Sequence, residues 1–483
     1  MTTTRTADRP ATRTTSRTAA AAAAFLLAAA SATAQTTDDP FPDPIPASED
    51  AIVVSYTEFA TVPDAGEAPA RMMLLVDEPG TGRMFVNDMR GTLYAVGYDG
   101  GAATLYLDLD DPRWTIGVQS RGSERGFQSF AFHPQFNQPG APGYGKLYTW
   151  TDVVDTSPPA DFTPPGDGDS HDTVLHEWTA SDATAATYDG GPPRELARFQ
   201  QPYGNHNAGH LAFNPTASPG DADFGILYMG VADGGSGGDP MDLAQNLSSA
   251  FGKVFRLDPL GSNSANGEYG VPEDNPFAAD GDDATLGEIW AYGVRNPQRF
   301  NWDPESGRMY LADIGQNTVE ELSPVTRGAN LGWNGWEGSF RYVGREGVDA
   351  SDPRSDPTMT YPVAEYGQLD PLLQRSSAAT GVHVYRGTEV PELRNLILWG
   401  DNPSGEIFAV SADDVPDGGQ DPIRRVLFDD GGEAKTLLQL IREKNAEQGR
   451  EPAPETDMRF GHGPNGRLLI LNKRDGVIRM FVR

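Results

Sequence analysis

The sequence contains no cysteine, and this absence excludes several kinds of site. Without thiols a chain forms no disulfide, no thiolate metal centre and no covalently attached c-type haem. The 483 residues must therefore be stabilised by the packing of the core and by bound ions.

Basic residues are scarce. The chain has 37 Lys and Arg against 69 Asp and Glu, a formal net charge of −32. A field of this sign repels phosphate backbones and anionic lipid, so nucleic acid and membrane surfaces are excluded as partners. An acidic surface that keeps the chain soluble explains the charge without any acidic function. The oligomeric state stays open.

Long apolar runs are missing except at the N-terminus. Four arginines precede an Ala/Leu run from about Ala19 to Ala30, and Ala-Thr-Ala at 32–34 offers a small-x-small cleavage site. This pattern predicts a Sec-type signal peptide over 1–34, hence a secreted or periplasmic protein, and the run is too short to span a membrane. A disordered Ala-rich leader is the alternative. The Pro- and Asp-rich residues 35–50 are predicted to be a flexible lead-in.

Helical periodicity is also scarce, whereas Gly (55) and Pro (39) are plentiful. One pattern recurs: an aromatic or acidic residue beside Pro, a Gly turn, then an apolar strand that ends in Asp, Asn or Gly. Copies include DEPGTGRMFVND (77–88), FHPQFNQPGAPGYGKLYTWTD (132–152), FNPTASPGDADFGILYMGVAD (213–233), WDPESGRMYLAD (302–313), LRNLILWGDNPSGEIFAV (393–410) and GPNGRLLILN (463–472). About six units of this kind predict an all-β fold, a six-bladed β-propeller with long inter-strand loops over 51–483.

Three details complete the predicted architecture. Two facing sandwich domains are the alternative to the propeller. The last strand, 476–483, is expected to pair with residues near 52–59 and close the ring. Residues 433–448 are the best helix candidate, because four apolar residues between 437 and 441 make one face.

Among the seven histidines, His206 stands out. It lies in a polar, Gly-flanked segment, YGNHNAG, just before a strand, where an imidazole can accept a proton near neutral pH. His133 is expected to cap or pack, and His383 to lie on a strand face. The chain has no HExxH, no GxSxG elbow and no G-x-G-x-x-G before a helix, so zinc hydrolase, serine esterase and nicotinamide chemistry are disfavoured.

The segment EIWAYGVRNPQRF (288–300) places a cation at the junction of a strand and a loop. Pro297 disfavours helical geometry at Asn296 and fixes an extended corner. A guanidinium held there, that of Arg295, can grip a carboxylate or polarise a carbonyl. A structural Arg that ties neighbouring loops together is the alternative.

Acidic, Gly-rich loops at 166–172, 233–242 and 274–283 could hold calcium, which prefers carboxylate and carbonyl oxygens. None has the spacing of an EF-hand. A solvated loop explains each of them equally well.

The order of several short segments carries a resemblance to a known family. The segments are SFAFHPQF (129–136), NHNAGHLAFNP (205–215), AFGKVFRLDP (250–259), EIWAYGVRNPQRF (288–300), ADIGQNTVEEL (312–322), NLGWNGWEG (330–338), YPVAEY (361–366) and GVHVYRG (381–387). Together they resemble the soluble sugar dehydrogenases of the glucose/sorbosone dehydrogenase family, six-bladed propellers that depend on PQQ. The resemblance extends from about residue 70 to 475.

The resemblance implies a function and a site. His206 matches the catalytic base and Asp233 the acid that follows the next strand. Arg295 and Asn296 match the pair that contacts the quinone, and Glu124 a cofactor-contacting Gln. Gly315 and Gln316 match positions whose main-chain oxygens hold calcium, and Glu320 falls near an acidic position behind the site.

In the implied reaction His206 takes the proton of a sugar C1 hydroxyl as hydride passes to the quinone, while Arg295 and calcium stabilise the oxyanion. The product is a lactone, and a separate acceptor receives the electrons because no haem motif is present.

The sequence departs from the family where cations contact PQQ. A Lys falls near Pro403, and a late pair of Arg near Thr456 and Met458. Because PQQ carries three carboxylates, other cations would have to substitute, with Arg121, Arg125, Arg299 and Arg375 as candidates. Two other functions stay open: a non-catalytic propeller that binds a glycan or a protein, and a calcium-dependent lactone hydrolase or lyase.

Overall fold

The computed structural model describes residues 39–47, 50–207, 209–344, 347–373 and 376–483. Within these residues the chain forms 29 β-strands and one α-helix, so the prediction of an all-β protein is confirmed. The predicted signal peptide, 1–34, lies outside the described residues. Residues 37–483 form one compact unit, which does not favour two sandwich domains.

The strands are numbered in chain order. The first ten are β1 (Ile52–Thr61), β2 (Met72–Glu78), β3 (Arg83–Asp88), β4 (Thr92–Gly97), β5 (Gly101–Ala102), β6 (Thr104–Asp108), β7 (Phe127–Phe132), β8 (Lys146–Val153), β9 (Asp172–Thr179) and β10 (Arg194–Gln200). The next ten are β11 (Leu211–Phe213), β12 (Leu227–Val231), β13 (Lys253–Leu257), β14 (Ile289–Tyr292), β15 (Pro297–Trp302), β16 (Met309–Asp313), β17 (Val319–Val325), β18 (Trp336–Glu337), β19 (Phe340–Tyr342) and β20 (Val348–Asp349). The last nine are β21 (Ala364–Gly367), β22 (Ala379–Tyr385), β23 (Leu396–Asp401), β24 (Ile407–Ser411), β25 (Arg424–Asp430), β26 (Glu433–Lys435), β27 (Arg459–His462), β28 (Leu468–Leu471) and β29 (Val477–Phe481).

Most strands pair in antiparallel runs that follow the order of the chain. Strands β7 to β10 and β11 to β14 each form a four-stranded sheet, as do β15, β16, β17 and β21. Strands β18 to β20 form a three-stranded sheet. The remaining strands form one 14-stranded sheet, whose main path is β22-β23-β24-β25-β1-β29-β28-β27-β2-β3-β4-β6.

The Gly-containing repeats are strand-turn-strand units in the structure. The copy at 77–88 covers the end of β2, the turn and β3, and the copy at 213–233 covers the end of β11, the connection and β12. The copy at 302–313 covers the end of β15, the turn and β16. In the last of these turns Gly307 has φ of 69° and donates its N–H to the carbonyl of Asp303 at 2.8 Å. Glycine adopts this left-handed backbone without a steric penalty, which explains its place in the repeat.

The first and the last strand of the chain are neighbours. Strand β1 pairs antiparallel with β29, from Tyr56 opposite Phe481 to Thr61 opposite Val477. The predicted pairing of the last strand with residues near 52–59 is therefore confirmed. On its other side β1 pairs parallel with β25.

The hydrophobic cores lie between strand runs that are neighbours in the chain. Trp150 and Phe199 of the β7–β10 sheet, for example, pack in one cluster with Leu227 of the β11–β14 sheet. A further cluster joins Ile478 of β29 to Val86 of β3, so that the last run also packs against the first. Burial of this apolar area is the main stabilising contribution to such a fold.

The one α-helix among the described residues is α1 (Leu437–Glu447). It is shorter than the predicted 433–448, because Glu433–Lys435 pair with β25 as strand β26. Thr436 then caps the helix, and its backbone and side chain exchange hydrogen bonds with Gln439.

Part of the predicted flexible lead-in packs against the sheets. Ile45 is buried, and its N–H donates to Asp370 Oδ2 at 2.8 Å. The rings of Phe41 and Phe340 meet edge to face with centroids 5.5 Å apart. The mobility of the rest of the lead-in stays a prediction.

Candidate active site

His206 and Asp233 form a hydrogen-bonded pair. His206 lies in the loop between β10 and β11 and is 5% exposed, and its Nδ1 is 2.8 Å from Oδ1 of Asp233. Because a carboxylate accepts hydrogen bonds and does not donate them, Nδ1 carries the proton and the Nε2 lone pair remains available. The two residues that the resemblance assigns as base and acid, His206 and Asp233, are therefore in direct contact in the structure.

The carboxylate of Asp233 is fixed from three sides. Its Oδ2 accepts a hydrogen bond from Nε1 of Trp333 at 2.9 Å, and its Oδ1 accepts the N–H of Gly235 at 2.8 Å in addition to the imidazole. Its own N–H donates to the carbonyl of Arg295 at 2.8 Å. The pair is thus attached to the Arg295 corner through the main chain.

The Arg295–Asn296 corner is built on the buried carboxylate of Asp313. The N–H groups of Arg295 and Asn296 donate to its two oxygens at 2.8 and 2.6 Å. Burial raises the pKa of Asp313, and these two N–H groups and the Arg295 charge oppose that rise. The amide oxygen of Asn296 accepts a hydrogen bond from Gln298 at 3.0 Å.

The guanidinium of Arg295 is held above an aromatic ring. Its Nη1 donates to the carbonyl of Ile314 at 2.8 Å, and Nε and Nη2 both lie 3.3 Å from Oε1 of Gln316. Its carbon Cζ lies 5.6 Å from the centroid of Trp333, the residue that also binds Asp233. Arg295, Asp233 and His206 therefore belong to one site, and Arg295 binds the predicted calcium loop.

That loop folds around a buried carboxylate. The N–H groups of Gln316, Asn317, Thr318 and Val319 all donate to Oε1 of Glu337, at 2.8 to 3.0 Å. In a trans peptide the carbonyl points opposite to the N–H, so the carbonyls of Gly315 and Gln316 point away from Glu337. A Cβ on Gly315 would lie 1.6 Å from the carbonyl oxygen of Val319, so only glycine fits there.

Replacing Glu337 with alanine is expected to lower the free energy of unfolding by about 2–4 kcal/mol, because four N–H groups would lose a charged acceptor. Chemical denaturation of the wild type and the variant measures this difference. Glu433→Ala is the matched control, since that side chain is 72% exposed and 3.8 Å from Lys435, and it should change stability by less than about 1 kcal/mol. Equal stabilities of the Glu337 variant and the wild type would contradict this account of the loop.

Glu124 lies directly beside His206. Its Oε2 accepts the backbone N–H of His206 at 2.8 Å. His206 has φ of 52°, a left-handed conformation that non-glycine residues adopt only with support from their surroundings. Glu124 thus positions the loop that carries His206, and its predicted contact with a cofactor stays a prediction.

Glu320 contacts the same loop through the backbone of Gly315. It is fully buried and accepts the N–H of Ala379 at 2.7 Å and that of Gly315 at 3.3 Å. Burial raises its pKa well above the ordinary value, and nearby Asp401 raises it further.

Residues 67–416 match the family described as Glucose / Sorbosone dehydrogenase. The chain belongs to this family. It is 29% identical over 365 residues to the HIPL1 protein of Arabidopsis thaliana, covering 68% of this chain and 50% of that protein. It is also 29% identical over 180 residues to the Hedgehog-interacting protein of Mus musculus, covering 37% and 22%. The chain thus spans about half the length of HIPL1.

Solved structures of the glucose/sorbosone dehydrogenase type share the fold. The PQQ-bound form of aldose sugar dehydrogenase from Streptomyces coelicolor matches with a TM-score of 0.54, over 88% of this chain and 96% of that chain, at 18% identity. This likeness shows that the chain has the fold of the aldose sugar dehydrogenases. Among the described residues, no helix is long and apolar enough to cross a bilayer.

The positions at which the resemblance implies cations, Pro403, Thr456 and Met458, are uncharged. Thr456 donates its N–H to the carbonyl of Pro403 at 3.0 Å, and Met458 lies in an apolar cluster. Of the candidate substitutes, Arg125 pairs with Asp169 at 3.2 Å and Arg299 donates to main-chain carbonyls, at 2.7 Å to that of Met73. Arg375 lies outside the described residues, and Arg121 is exposed.

Sequence reasoning missed several residues of the site. Trp333 and Glu337 fall within the family segment NLGWNGWEG, and Asp313 within ADIGQNTVEEL, but nothing in one sequence shows which residue they contact. Arg459 and Lys473 are buried cations near the C-terminus. They belong to no segment of the resemblance. The charge of Arg459 lies close enough to Glu124 to interact with it, and Lys473 donates to the carbonyl of Ser123 at 3.2 Å.

The three acidic loops proposed for calcium contain no carboxylate cluster. Among the described residues, no group of three or more His, Cys, Asp or Glu is placed to hold a metal ion. In these loops Asp239 accepts the N–H groups of Leu243 and Ala244, at 3.0 and 2.8 Å, and Asp274 binds Arg256 at 2.7 Å.

The predictions for two other histidines are supported. His133 is buried and packs against Phe213, with ring centroids 5.3 Å apart. His383 lies on β22, and its ring stacks on that of His462, with the two Nδ1 atoms 2.8 Å apart. Burial lowers the pKa of His383 to about 4 and that of His462 well below its usual range.

Lowering the pH from 7 to 5 is expected to reduce the free energy of unfolding, because the pKa of His383 is lowered by burial. Between pH 6.5 and 4 the unfolded state binds a proton at His383 that the folded state does not, so the free energy of unfolding falls as pH falls. In the His383→Gln variant the decrease in the free energy of unfolding between pH 7 and pH 5 should be smaller than in the wild type by about 2 kcal/mol. Denaturation at both pH values measures it, and an unchanged pH dependence would show that His383 is not buried in its neutral form.

Proposed function

We propose that this chain is an exported dehydrogenase that oxidises the C1 hydroxyl of an aldose sugar, or a related alcohol, to the lactone. The observation that carries the proposal is the His206–Asp233 pair at 2.8 Å, joined through Trp333 to the guanidinium of Arg295. A general base and a fixed cation are what the removal of a hydroxyl proton requires. Membership of the glucose/sorbosone dehydrogenase family supports the same chemistry.

Each residue has a separate task. His206 accepts the hydroxyl proton at Nε2, and Asp233 holds the ring and stabilises the imidazolium that forms. Arg295 stabilises the negative charge that develops on the substrate oxygen, because its position is fixed before the reaction by Ile314 and Gln316. PQQ, when bound with calcium, supplies the two-electron oxidant, and an external acceptor takes the electrons onward.

The chain offers partners for both groups. Arg295 and Asn296 would contact the quinone, and Nε of the buried Arg459 has no hydrogen-bond partner among the described residues, so an acceptor from a ligand would satisfy it. The carbonyls of Gly315 and Gln316, turned away from Glu337, are hard oxygen donors of the type that calcium prefers.

We further propose that the strands form a closed six-bladed propeller. The antiparallel runs, the pairing of β1 with β29 and the core cluster between β29 and β3 support closure. A ring of this kind leaves few exposed strand edges and places the loops of His206, Asp233 and Arg295 at one end. In this scheme 1–34 is the signal peptide and 51–483 the propeller.

The activity is tested by dye reduction with purified mature protein, PQQ, calcium chloride and a panel of aldoses. Turnover of at least one aldose is expected. Chelation of calcium should abolish this turnover reversibly, because the carbonyls of Gly315 and Gln316 are neutral and cannot replace the positive charge of the calcium ion. Activity that survives complete chelation would contradict the calcium role. Absence of turnover with every aldose and related alcohol would contradict the proposed function.

A second candidate is a propeller that binds a glycan or a protein without oxidising it. The uncharged residues at the family's cation positions, Pro403, Thr456 and Met458, favour it, as do the relatives HIPL1 and Hedgehog-interacting protein. Glycan binding that persists in His206→Asn, together with no turnover in the wild type, would support this alternative.

A further inference from the structure

A cavity of about 610 Å³ lies between the β7–β10 sheet and the β11–β14 sheet. Its wall comes from the β8–β9, β12–β13 and β13–β14 loops. Asn266 of this wall donates to the carbonyl of Leu196 in β10 at 2.9 Å, and Glu288 directly precedes β14. Strands β10 and β14 are the last strands of their sheets, whereas His206 precedes β11, the first strand of its sheet. The cavity is therefore distinct from the candidate active site, and none of the described residues of that site lines it.

Three carboxylates line this cavity, which we call the acidic cavity: those of Asp161, Asp283 and Glu288. No Lys or Arg is among the described residues that line it. Asp161 accepts hydrogen bonds from neutral donors, the N–H of Arg198 at 2.8 Å and the side-chain amide of Asn266 at 3.0 Å. The guanidinium of Arg198 binds other carboxylates, and within the described part of the chain none of the three forms an ion pair with Lys or Arg.

Glu288 is the most buried of the three. It is 6% exposed, its Oε1 accepts the hydroxyl of Tyr269 at 2.7 Å, and its Oε2 has no hydrogen-bond partner among the residues that the structure describes. Burial and the charges of Glu288 and Asp161 raise the pKa of Tyr269, so both carboxylates lie close to this hydroxyl. A buried carboxylate without a basic partner is costly, and a cationic group in the cavity would compensate it.

The charge and the spacing of these groups restrict the ligand. Carboxylate and phosphate ligands are excluded, because no cation among the described lining residues could bind them. A single metal ion is excluded as well, since no group of three or more His, Cys, Asp or Glu among the described residues is placed to hold one. An organic cation remains, whose ammonium group donates up to three hydrogen bonds.

The rest of the wall suits a ligand that also carries hydroxyl groups. Phe162 lines the cavity and is half-buried, and its ring lies beside that of Phe199 with centroids 4.5 Å apart. The negative face of an aromatic ring attracts the positively polarised C–H groups of a sugar. Hydroxyl and amide side chains, which can bind sugar hydroxyls, also line the cavity: Thr163, Ser248, Asn263, Ser264, Asn266 and Thr285.

We propose that the acidic cavity binds an amino sugar, with the ammonium group at Glu288 and Asp161 and the sugar ring beside Phe162. The volume lies within the range of small-molecule sites, about 300–1,000 Å³. The neighbouring hydroxyl and amide side chains bind the sugar hydroxyls. The inference does not rest on the proposed oxidation, because the cavity takes no part in proton or hydride transfer.

The test is calorimetric titration of the full mature protein with the methyl glycoside of glucosamine and, separately, with that of glucose. The titrations use low ionic strength and a pH at which the amine is protonated. A methyl glycoside has no free C1 hydroxyl, so it is not a substrate of the proposed oxidation. The amino glycoside should bind at least about tenfold more tightly than the neutral glycoside, because only its ammonium group forms charge-assisted hydrogen bonds with the carboxylates.

Glu288→Gln should weaken binding of the amino glycoside by about tenfold or more, since the amide keeps an acceptor for Tyr269 and loses the charge. Asp161→Asn is the second variant, and it changes an exposed side chain, so it tests the second carboxylate outside the core. Glu433→Gln is the matched control, since that side chain is 72% exposed and lies outside the cavity, and it should leave binding unchanged. Circular dichroism and thermal unfolding verify that each variant is folded.

The inference is overturned if neither glycoside binds, if both bind with equal affinity, or if both variants bind the amino glycoside as the wild type does. Equal affinity for butylamine, which has the charge but no hydroxyl group, would contradict the role of the sugar.

His206→Asn separates the acidic cavity from the candidate active site. Binding that persists in His206→Asn and is lost in Glu288→Gln assigns the amino sugar to the acidic cavity, whether or not the protein oxidises aldoses. Binding that is lost in His206→Asn and persists in Glu288→Gln assigns the amino sugar to the candidate active site and contradicts the inference.

Discussion

Replacing His206 with asparagine is expected to lower kcat for aldose oxidation by about two to four orders of magnitude, because the general base is removed. Asparagine is the informative substitution, since His206 has φ of 52° and asparagine tolerates left-handed backbone better than most residues. Its side chain can still bond to Asp233. Steady-state dye reduction at saturating PQQ and calcium measures the effect.

The control for this variant is cofactor binding. His206 is proposed to contact the substrate hydroxyl and not to hold the quinone, so the affinity for PQQ and the unfolding temperature should remain close to those of the wild type. Retention of most of the wild-type kcat in a folded, PQQ-saturated variant would show that the base is another group.

Replacing Asp233 with asparagine is expected to lower kcat by a similar factor, about 10²–10⁴. Three N–H donors converge on the carboxylate: those of Trp333, Gly235 and the His206 imidazole. An amide has one oxygen in place of two, so one donor is lost or the imidazole adopts the tautomer with its proton on Nε2. In that tautomer His206 cannot accept the hydroxyl proton.

Because Asp233 acts through His206, the test needs more than a loss of rate. The pH dependence of kcat should change, since the carboxylate no longer stabilises the imidazolium, whereas KM should change much less. Asp221→Asn, on the exposed turn before β12, is the control and should leave both unchanged. A variant of Asp233 with altered KM and an unchanged pH profile would indicate a purely structural role.

The strand architecture was predictable because it depends on local chemistry. Each repeat combines a Gly turn with an alternating apolar strand, and the hairpins β2–β3 and β15–β16 lie where the pattern places them. The helix boundary was missed because its first residues, Glu433–Lys435, pair with β25 across a turn at Gly431 and Gly432, and this hairpin pairing overrides local helix propensity.

The candidate site was predictable only in part. His206, Asp233 and Arg295 follow from the family resemblance, and the structure brings them together. Trp333 and Asp313 hold these residues in place from separate loops, and a single sequence carries no signal for such contacts. Arg71 and Lys473 were missed for the same reason, because they are about 400 residues apart and become neighbours only when the last strands pack beside the first.

The positions of the cationic side chains bear on the choice between the two candidate functions. At the family's cation positions the chain has Pro403, Thr456 and Met458, which are uncharged. Arg71, Arg459 and Lys473 place positive charge at other positions, where Asp457 lies close to all three. If that charge serves the same ligand, the departures from the family pattern do not count against an enzyme.

The most direct test of the account is a titration of the mature protein with PQQ in the presence of calcium, followed by absorbance and by the heat of binding. Stoichiometric binding at micromolar concentration, with turnover of an aldose that His206→Asn removes, is the result predicted by the account. No binding of PQQ at micromolar concentration with calcium present would contradict it and would favour the second candidate, binding of a glycan or a protein without oxidation.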